Sequence, residues 1–180
     1  MKISVETRIL LGLVILCSWM SLAHAEERGA FPAAAAACGA DDVEFDVKTD
    51  KSQHPTLRPE AGKAVVYVIE DIPKQVSFHI AQRVGLDGAW VGANRERSYF
   101  AFSVDAGVHH LCASVHLGGF AAGPSTISLR RLIAEAGRVY YFRVATYDRG
   151  FFPDLQPVDE DEGQYLVETS ALSTSHPKQK

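Results

Sequence analysis

The feature that most constrains the fold is a succession of short apolar segments in which side chains alternate, each ended by residues that favour turns. Residues 64–69 (AVVYVI) are β-branched, aromatic and nearly all apolar, which is typical of a strand buried on both faces. Residues 43–47 alternate between apolar and acidic side chains, as a strand with one face in water requires. Turn residues stand at 87–88 (Asp-Gly) and 105–107 (Asp-Ala-Gly), so the sequence predicts hairpins there.

No stretch between these segments shows the helical periodicity that a parallel α/β fold needs. The pattern therefore predicts an all-β domain over residues 43–170, built as an antiparallel β-sandwich of about seven to nine short strands. One short C-terminal helix is predicted after Asp159, because Asp159 and Glu162 make an Asp-x-x-Glu arrangement similar to a capping box. Residues 171–180 are polar, and we expect a loose tail there.

Residues 1–25 have the three parts of a secretory leader. Lys2 and Arg8 lie near the start, an apolar run covers 9–22, and residues 23–25 (Ala-His-Ala) fit a cleavage site. As a helix the apolar run would be about 21 Å long, shorter than the roughly 30 Å hydrocarbon core of a membrane. We therefore predict a cleaved signal peptide and an exported protein, periplasmic or secreted, with no membrane span after cleavage. A retained anchor is the alternative.

Composition limits what the mature chain can be. The sequence of 180 residues, less a leader, has the size of one ordinary domain. Its apolar fraction of 47% and charged fraction of 22% are those of a globular protein. The net charge of -4 argues against sequence-independent nucleic-acid binding, which needs a basic surface.

Residues 26–42 are largely Ala-rich and show no alternation until their end, and we interpret them as a flexible arm.

Two cysteines remain after removal of the leader. Cys38 and Cys112 would then lie in an oxidising compartment, where paired cysteines usually bond. We predict a Cys38–Cys112 disulfide, and two buried free thiols are the alternative. The closed loop of about 75 residues would stabilise the fold by about 4 kcal/mol through the entropy of the unfolded chain.

Histidines offer a weak candidate for metal binding on one predicted strand. His110, Cys112 and His116 alternate along it, so their side chains share a face, and imidazole and thiolate bind zinc or copper. His110 and His116 are about 20 Å apart along an extended strand, however, and a bonded Cys112 is no ligand. We therefore predict no metal and no cofactor, and interpret these histidines as exposed or hydrogen-bonded. His109 is expected to fix the adjoining hairpin through a backbone hydrogen bond.

The candidate binding surface consists of four aromatic residues, Trp90, Tyr99, Phe151 and Phe152. Flat rings stack on the apolar faces of sugars and peptides, so an exposed group of them could recognise either ligand. Packing in the core or along a hairpin edge is the alternative. Phe151 and Phe152 are the better candidates, because a glycine and a proline flank them in a predicted loop.

Four motifs follow one another along the predicted domain. They are GKAVVYVIED at 62–71, GLDGAWVG at 85–92, SYFAFSVDAGVHHLC at 98–112 and EAGRVYYFRV at 135–144. Taken in this order they resemble the bacterial exported-protein family called domain of unknown function 2846, over roughly residues 61–170. The resemblance implies a small β-sandwich in the cell envelope with no established activity. This chain departs from the family's lipoproteins because it lacks a usable lipobox.

The sequence favours recognition over catalysis. It contains no G-x-S-x-G, no H-E-x-x-H and no glycine-rich phosphate loop. We predict an exported, non-enzymatic β-sandwich that binds an envelope component or a partner protein through loops or an exposed strand edge. A small metal-dependent or hydrolytic periplasmic enzyme is the alternative, and a structural accessory domain of a larger envelope assembly is a third hypothesis.

Overall fold

The computed structural model of the chain describes residues 32–72, 81–115, 127–147 and 152–178. The predicted signal peptide, the start of the predicted arm, Phe151 and His116 lie outside these described residues. The described residues contain two helices, α1 (Pro32–Ala37) and α2 (Glu160–Thr169). They also contain ten strands: β1 (Phe45–Asp50), β2 (Lys63–Asp71), β3 (Ala81–Leu86), β4 (Ala89–Arg95), β5 (Arg97–Asp105), β6 (Gly107–Val115), β7 (Ile127–Ala134), β8 (Val139–Tyr147), β9 (Phe152–Val158) and β10 (Ala171–Pro177).

The strands form two sheets. Six of them make one sheet in the order β1-β10-β5-β2-β8-β9, and four make a second sheet in the order β4-β3-β6-β7. The prediction of a mainly β fold with a short helix near the C-terminus is confirmed. The prediction that every pair is antiparallel is wrong, because β2 pairs parallel with β8 and β10 pairs parallel with β5. The described strands also exceed the seven to nine expected.

The parallel pairs follow from the long path of the chain. β2 pairs antiparallel with β5 on one side and parallel with β8 on the other. Between β5 and β8 the chain builds β6 and β7 of the second sheet, and it then returns to the first sheet in the direction of β2. Hydrophobic periodicity separates buried from exposed faces but does not specify which strand lies alongside, so it could not predict the mixed pairing.

The core lies between the two sheets, where alternate side chains of each strand meet. The six-stranded sheet contributes Ala64, Val66, Val68, Phe100, Val104, Phe142, Val144 and Leu155. The four-stranded sheet contributes Val84, Leu111, Ala113, Leu132 and Ala134. Full burial of one large apolar side chain stabilises a fold by roughly 1.5–3 kcal/mol, so this shared core holds the sheets together.

β2 is a central strand buried on both faces, as its apolar sequence predicts. Val66 and Val68 face the shared core. Val65, Tyr67 and Ile69 face the other side of the sheet and form a second cluster with side chains of helix α2. None of the five is more than 4% exposed.

Helix α2 covers this outer face of the six-stranded sheet. It begins after the predicted N-cap Asp159, whose carboxylate accepts a hydrogen bond from the Glu162 amide at 2.8 Å. The Glu162 carboxylate binds the Arg143 guanidinium of β8, with 2.6 Å between Oε1 and Nη1. The close approach of helix and sheet requires Gly163, because a Cβ at this position would overlap the Tyr141 ring.

Residues 32–42 differ from the flexible arm expected over residues 26–42, of which 26–31 lie outside the described residues. Consecutive alanines form helix α1, in keeping with the high helix propensity of alanine. Residues 38–43 then run as a strap along the four-stranded sheet. Arg83 and Trp90 hold the strap by donating hydrogen bonds to its carbonyl oxygens. Composition did not predict this order, because the partners lie 40 or more positions away along the chain.

Residues 171–177 form strand β10 in place of the expected loose tail. β10 lies between β1 and β5 of the six-stranded sheet. Its polar composition has a structural reason: Ser173 donates from Oγ to the Ala93 carbonyl at 2.8 Å, and Ser175 Oγ accepts from the Ala93 amide at 2.9 Å. The serines of β10 therefore bind the backbone of β4, the neighbouring edge of the other sheet.

Candidate functional site

A disulfide anchors helix α1 on the outer face of the four-stranded sheet. Cys38 and Cys112 are bonded, with their Cα atoms 5.3 Å apart, as the sequence predicts. Ala37 packs with both cysteines, and Trp90 and Ile127 border this small cluster. The end of the β6–β7 face that holds Cys112 and Ile127 is therefore covered, and Cys112 is not free to bind a metal.

The other end of the β6–β7 face exposes three large apolar side chains. Val108 and Ile133 are cross-strand partners that expose 50% and 59% of their surface, and Leu129 exposes 38%. They are three of the five large apolar side chains that are exposed in the described part of the chain. His110 and Arg131 form the next cross-strand pair and are also exposed. We call these five residues the β6–β7 surface.

The β6–β7 surface lies beside an open strand edge. β7 pairs with β6 along its whole length, from Ile127 to Ala134. Within residues 32–72, 81–115, 127–147 and 152–178, no strand pairs with the other edge of β7. Unpaired N–H and C=O groups of an edge strand can accept a further strand, and exposed apolar residues next to them add area to such a contact.

The edges of β4 and β1 are better protected than that of β7. At β4, the amide and the carbonyl of Ala93 are both bound by serines of β10. β1 carries Asp46, Lys48 and Asp50 among its six residues. Charged side chains on a short edge strand discourage the addition of another strand.

The edge of β9 is protected by its own sequence and by β7. Pro153 and Pro157 have no N–H to offer to another strand. The Leu155 amide donates to Ser128 Oγ at 3.0 Å, and the Leu155 carbonyl accepts from Arg130 Nε at 2.6 Å. The inward side chains of β7 thus bind the backbone of β9, while the edge of β7 itself stays open among the described residues.

The aromatic residues expected to form a binding surface are not brought together. Trp90 lies under the strap, against Arg83. Tyr99 is 1% exposed on the other sheet, so its ring offers no face to solvent. Phe152 is half-buried at the start of β9. Phe151 lies outside the described residues.

His109 and His110 lie on β6 and have different surroundings. His109 fixes the hairpin, with its Nδ1 2.6 Å from Asp87 Oδ2 and its Nε2 2.8 Å from the Asp105 carbonyl oxygen. Burial opposes the charged imidazole, but the contacts with Asp87 and Asp105 outweigh it and raise the pKa of His109. His110 is exposed, with Nδ1 3.7 Å from Asp87 Oδ1, and His116 lies outside the described residues. No group of three or more metal-ligating side chains is found in the described ranges.

A buried polar group lies where β2 ends. Glu70 is 0% exposed, and no side chain of the described residues donates a hydrogen bond to its carboxylate. Desolvation raises the pKa of Glu70 well above its usual range, against the opposing effect of the Glu96 backbone amide. The neutral carboxyl is therefore the favoured form. Asn94 is equally buried and donates from Nδ2 to the Val68 carbonyl at 3.0 Å.

Comparisons with protein-family models, with curated proteins and with solved structures find no match for this chain. The resemblance to domain of unknown function 2846 therefore stays a prediction, and no site residue is carried over from a relative. No helix among the described residues is long and apolar enough to cross a membrane.

The sequence predicts the strands β6 and β7, but of the five residues of the β6–β7 surface it singled out only His110, and as a weak metal candidate. The available signal is the sequence of β7, ISLRRLIA, which has apolar residues on both faces. Leu132 belongs to the core, whereas Leu129 and Ile133 point outwards. A strand with two apolar faces predicts either a covered strand or a binding surface, and only the position of α1 shows which part is covered.

Proposed function

We propose that this protein is an exported binding module that recognises an extended segment of a partner protein of the cell envelope on the β6–β7 surface. It acts by recognition, without catalysis or a cofactor. The observation that carries this proposal is the open edge of β7, with Leu129 and Ile133 exposed beside it. The disulfide supports the exported location, because structural disulfides persist mainly in oxidising compartments.

The recognition would use β-strand addition. The partner segment pairs its backbone with the free N–H and C=O groups of β7, and this pairing supplies much of the affinity. Its alternate side chains lie over the outer face of the sheet, where apolar residues would pack against Leu129 and Ile133. Arg131 lies between these two residues on that face and favours an acidic side chain across from it.

The part of the four-stranded sheet that α1 covers helps to hold the β6–β7 surface in a fixed conformation for binding. The Cys38–Cys112 bond fixes α1 on β6, and the cross-strand pairs Val108–Ile133 and His110–Arg131 stay exposed. A surface that is already rigid loses little conformational entropy when a partner binds. The fixed sheet therefore favours an extended ligand that orders itself on contact.

Site-specific photo-crosslinking in the native cell tests the proposal. A photoreactive phenylalanine analogue replaces Ile133 in one version of the full chain and Tyr165 in another. Tyr165 is the matched control, because it is 64% exposed on helix α2, far from β7 in the fold. We expect a covalent adduct with one envelope protein from position 133 and none with that protein from position 165.

A second variant checks that the adduct reports strand addition. Leu129→Lys in the crosslinking chain should abolish the adduct, whereas Leu57→Lys, at a side chain 40% exposed elsewhere in the chain, should leave it unchanged. The same adducts from positions 133 and 165 would overturn the proposal, as would no adduct at all. An adduct between two copies of the chain would show that the surface binds a second copy of this protein and not a different partner.

A further inference from the structure

A second site lies on the outer face of the six-stranded sheet, beside helix α2. It is a groove of about 370 Å³ lined by His54, Pro55, Thr56, Tyr67, Tyr141, Gln164, Val167 and Glu168. Ligand cavities usually measure about 300–1,000 Å³, so the groove fits one amino-acid side chain or a ligand of similar size. The groove is on the opposite sheet from the β6–β7 surface and shares no residue with it.

Three rings, those of Tyr67, Tyr141 and His54, line one side of the groove, and Tyr67 is only 4% exposed. Tyr67 and Tyr141 are partners on β2 and β8, with ring centroids 5.2 Å apart and planes 20° apart. Tyr99 lies 6.1 Å from Tyr67, and His54 stacks on Tyr99 at 6.1 Å. The Leu57 amide donates to the Tyr67 hydroxyl at 2.9 Å and so fixes the segment around His54 against the sheet.

Helix α2 lines the other side of the groove with Gln164, Val167 and Glu168, so one carboxylate lies in the groove itself. Helix α2 carries four acidic residues and no lysine or arginine, and Glu168 lines the groove directly. Of these four acidic residues, Glu162 is the one that forms an ion pair with Arg143. Burial, Tyr67 and Glu160 raise the pKa of Tyr141, against the effect of a hydrogen bond with Gln164. Within the described residues, Glu168 has no ion-pair partner of its own.

We propose that this groove binds the guanidinium group of an arginine side chain presented by a peptide. A guanidinium is planar, stacks on aromatic rings and pairs with a carboxylate, and the groove offers the half-buried Tyr141 ring and the Glu168 carboxylate. The acidic helix attracts a positive ligand and repels an anionic one. This site is independent of the strand-addition site on β7 and takes a ligand of different chemistry.

Titration of the full mature chain with four small probes, followed by nuclear magnetic resonance, tests the assignment. The probes are N-acetyl-arginine methylamide, its neutral isostere N-acetyl-citrulline methylamide, N-acetyl-lysine methylamide and free arginine. We expect the arginine amide to shift the signals of Tyr141 and Glu168, with affinity that falls as salt is raised. Citrulline amide should bind at least about threefold more weakly, because it lacks the charge.

Variants separate a specific site from general attraction to an acidic surface. Glu168→Gln should weaken binding of the arginine amide about threefold, and Tyr141→Leu should weaken it by a similar factor. Glu135→Gln removes an exposed carboxylate outside the groove and should change nothing. Tyr141→Phe keeps the ring and should retain the affinity.

Each other outcome has a defined meaning. Equal binding of the citrulline and arginine amides would overturn the proposal, and so would no binding at millimolar concentration or an unaffected Glu168→Gln variant. Tighter binding of the lysine amide would also overturn the choice of guanidinium. Stronger binding of free arginine than of the amide would overturn the choice of a peptide. None of these results bears on crosslinking at Ile133, so the two proposals fail separately.

Discussion

Arg83 lies with its guanidinium carbon 4.3 Å from the centroid of the Trp90 ring. The same guanidinium donates to the carbonyl oxygens of Asp41 and Val43 at 3.0 and 2.9 Å, and to the Ser114 hydroxyl at 3.2 Å. A nearly fully buried arginine is thus satisfied mainly by the backbone of the N-terminal strap. The strap, the disulfide and the outer face of the four-stranded sheet form one unit.

Arg83→Met should destabilise the protein by about 3 kcal/mol, because it removes charge-assisted hydrogen bonds and leaves two strap carbonyls without their donor. Urea unfolding monitored by tryptophan fluorescence measures the loss. Arg131→Met, on the exposed β6–β7 surface, is the matched control and should change the free energy of unfolding by less than about 0.5 kcal/mol. Equal losses in the two variants would show that the strap contributes little.

Removal of the disulfide should have a larger effect. The double variant Cys38→Ala/Cys112→Ala opens a link across 74 positions and should lose about 4 kcal/mol of unfolding free energy. The comparison uses urea unfolding with and without reductant. Under full reduction the free energy of unfolding of the wild-type chain should fall almost to that of the variant. A difference that persists in reductant would come from packing at the two cysteines and not from the bond.

Local chemistry made some of these features predictable. The apolar run around Val66 indicates a buried strand, Asp159 indicates a helix start, and two cysteines in a chain expected to be exported indicate a disulfide. Each of these inferences needs only nearby residues or one pair. They fix the class of the fold and one covalent link.

Other features depend on partners that are distant in sequence. Ser173 and Ser175 look like tail residues until Ala93 on β4 is placed beside them. The sequence around Tyr99 is compatible with an exposed or a buried ring. Only the packing of α2 over the sheet shows that the ring is buried. The β6–β7 surface likewise depends on α1 covering Cys112 and Ile127 but not Leu129. Surfaces left open by the assembly of the whole chain cannot be derived from periodicity.

Gly163→Ala should destabilise the protein although alanine is the better helix former. Alanine would stabilise an isolated helix by about 1 kcal/mol, but its Cβ would overlap the Tyr141 ring. Overpacking of this kind costs about 1–3 kcal/mol, so the net effect is a loss. The double variant Gly163→Ala/Tyr141→Ala removes the overlap. In the Tyr141→Ala background the alanine should be neutral or stabilising in urea unfolding, and a similar loss in both backgrounds would exclude the overlap as the cause.

His109→Gln should cause a loss of stability that depends on pH. The pKa of His109 is raised, so its contribution is complete below about pH 6.5, the usual value, and disappears as pH rises through the folded value. The pKa of Asp87 is lowered despite desolvation, mainly by its bond with His109, so the contribution also disappears as pH falls through that lowered value. The difference between wild type and variant should be greatest between about pH 4 and pH 6.5. Thermal unfolding across pH measures it, and His176→Gln, at an exposed histidine, should show no such maximum.

Glu70→Gln should stabilise the protein increasingly as pH rises. Burial raises the pKa of Glu70, so its folded carboxyl stays neutral over a range in which the unfolded chain ionises. The wild-type contribution is complete below about pH 4.3 and is lost as pH rises towards the folded value, at about 1.4 kcal/mol per pH unit. Glutamine has the shape of a neutral glutamic acid and does not ionise.

Wild type and Glu70→Gln should therefore have similar free energies of unfolding near pH 4. Above pH 4 the free energy of unfolding of the variant should exceed that of wild type by a steadily growing amount, as measured by urea unfolding at a series of pH values. Glu60→Gln, at an exposed carboxylate, is the matched control and should show no such trend. A variant that is less stable than wild type at alkaline pH would mean that Glu70 is ionised and bound to a cation or a donor. Such a result would make the end of β2 a ligand site, because an unpaired buried carboxylate is too costly to persist.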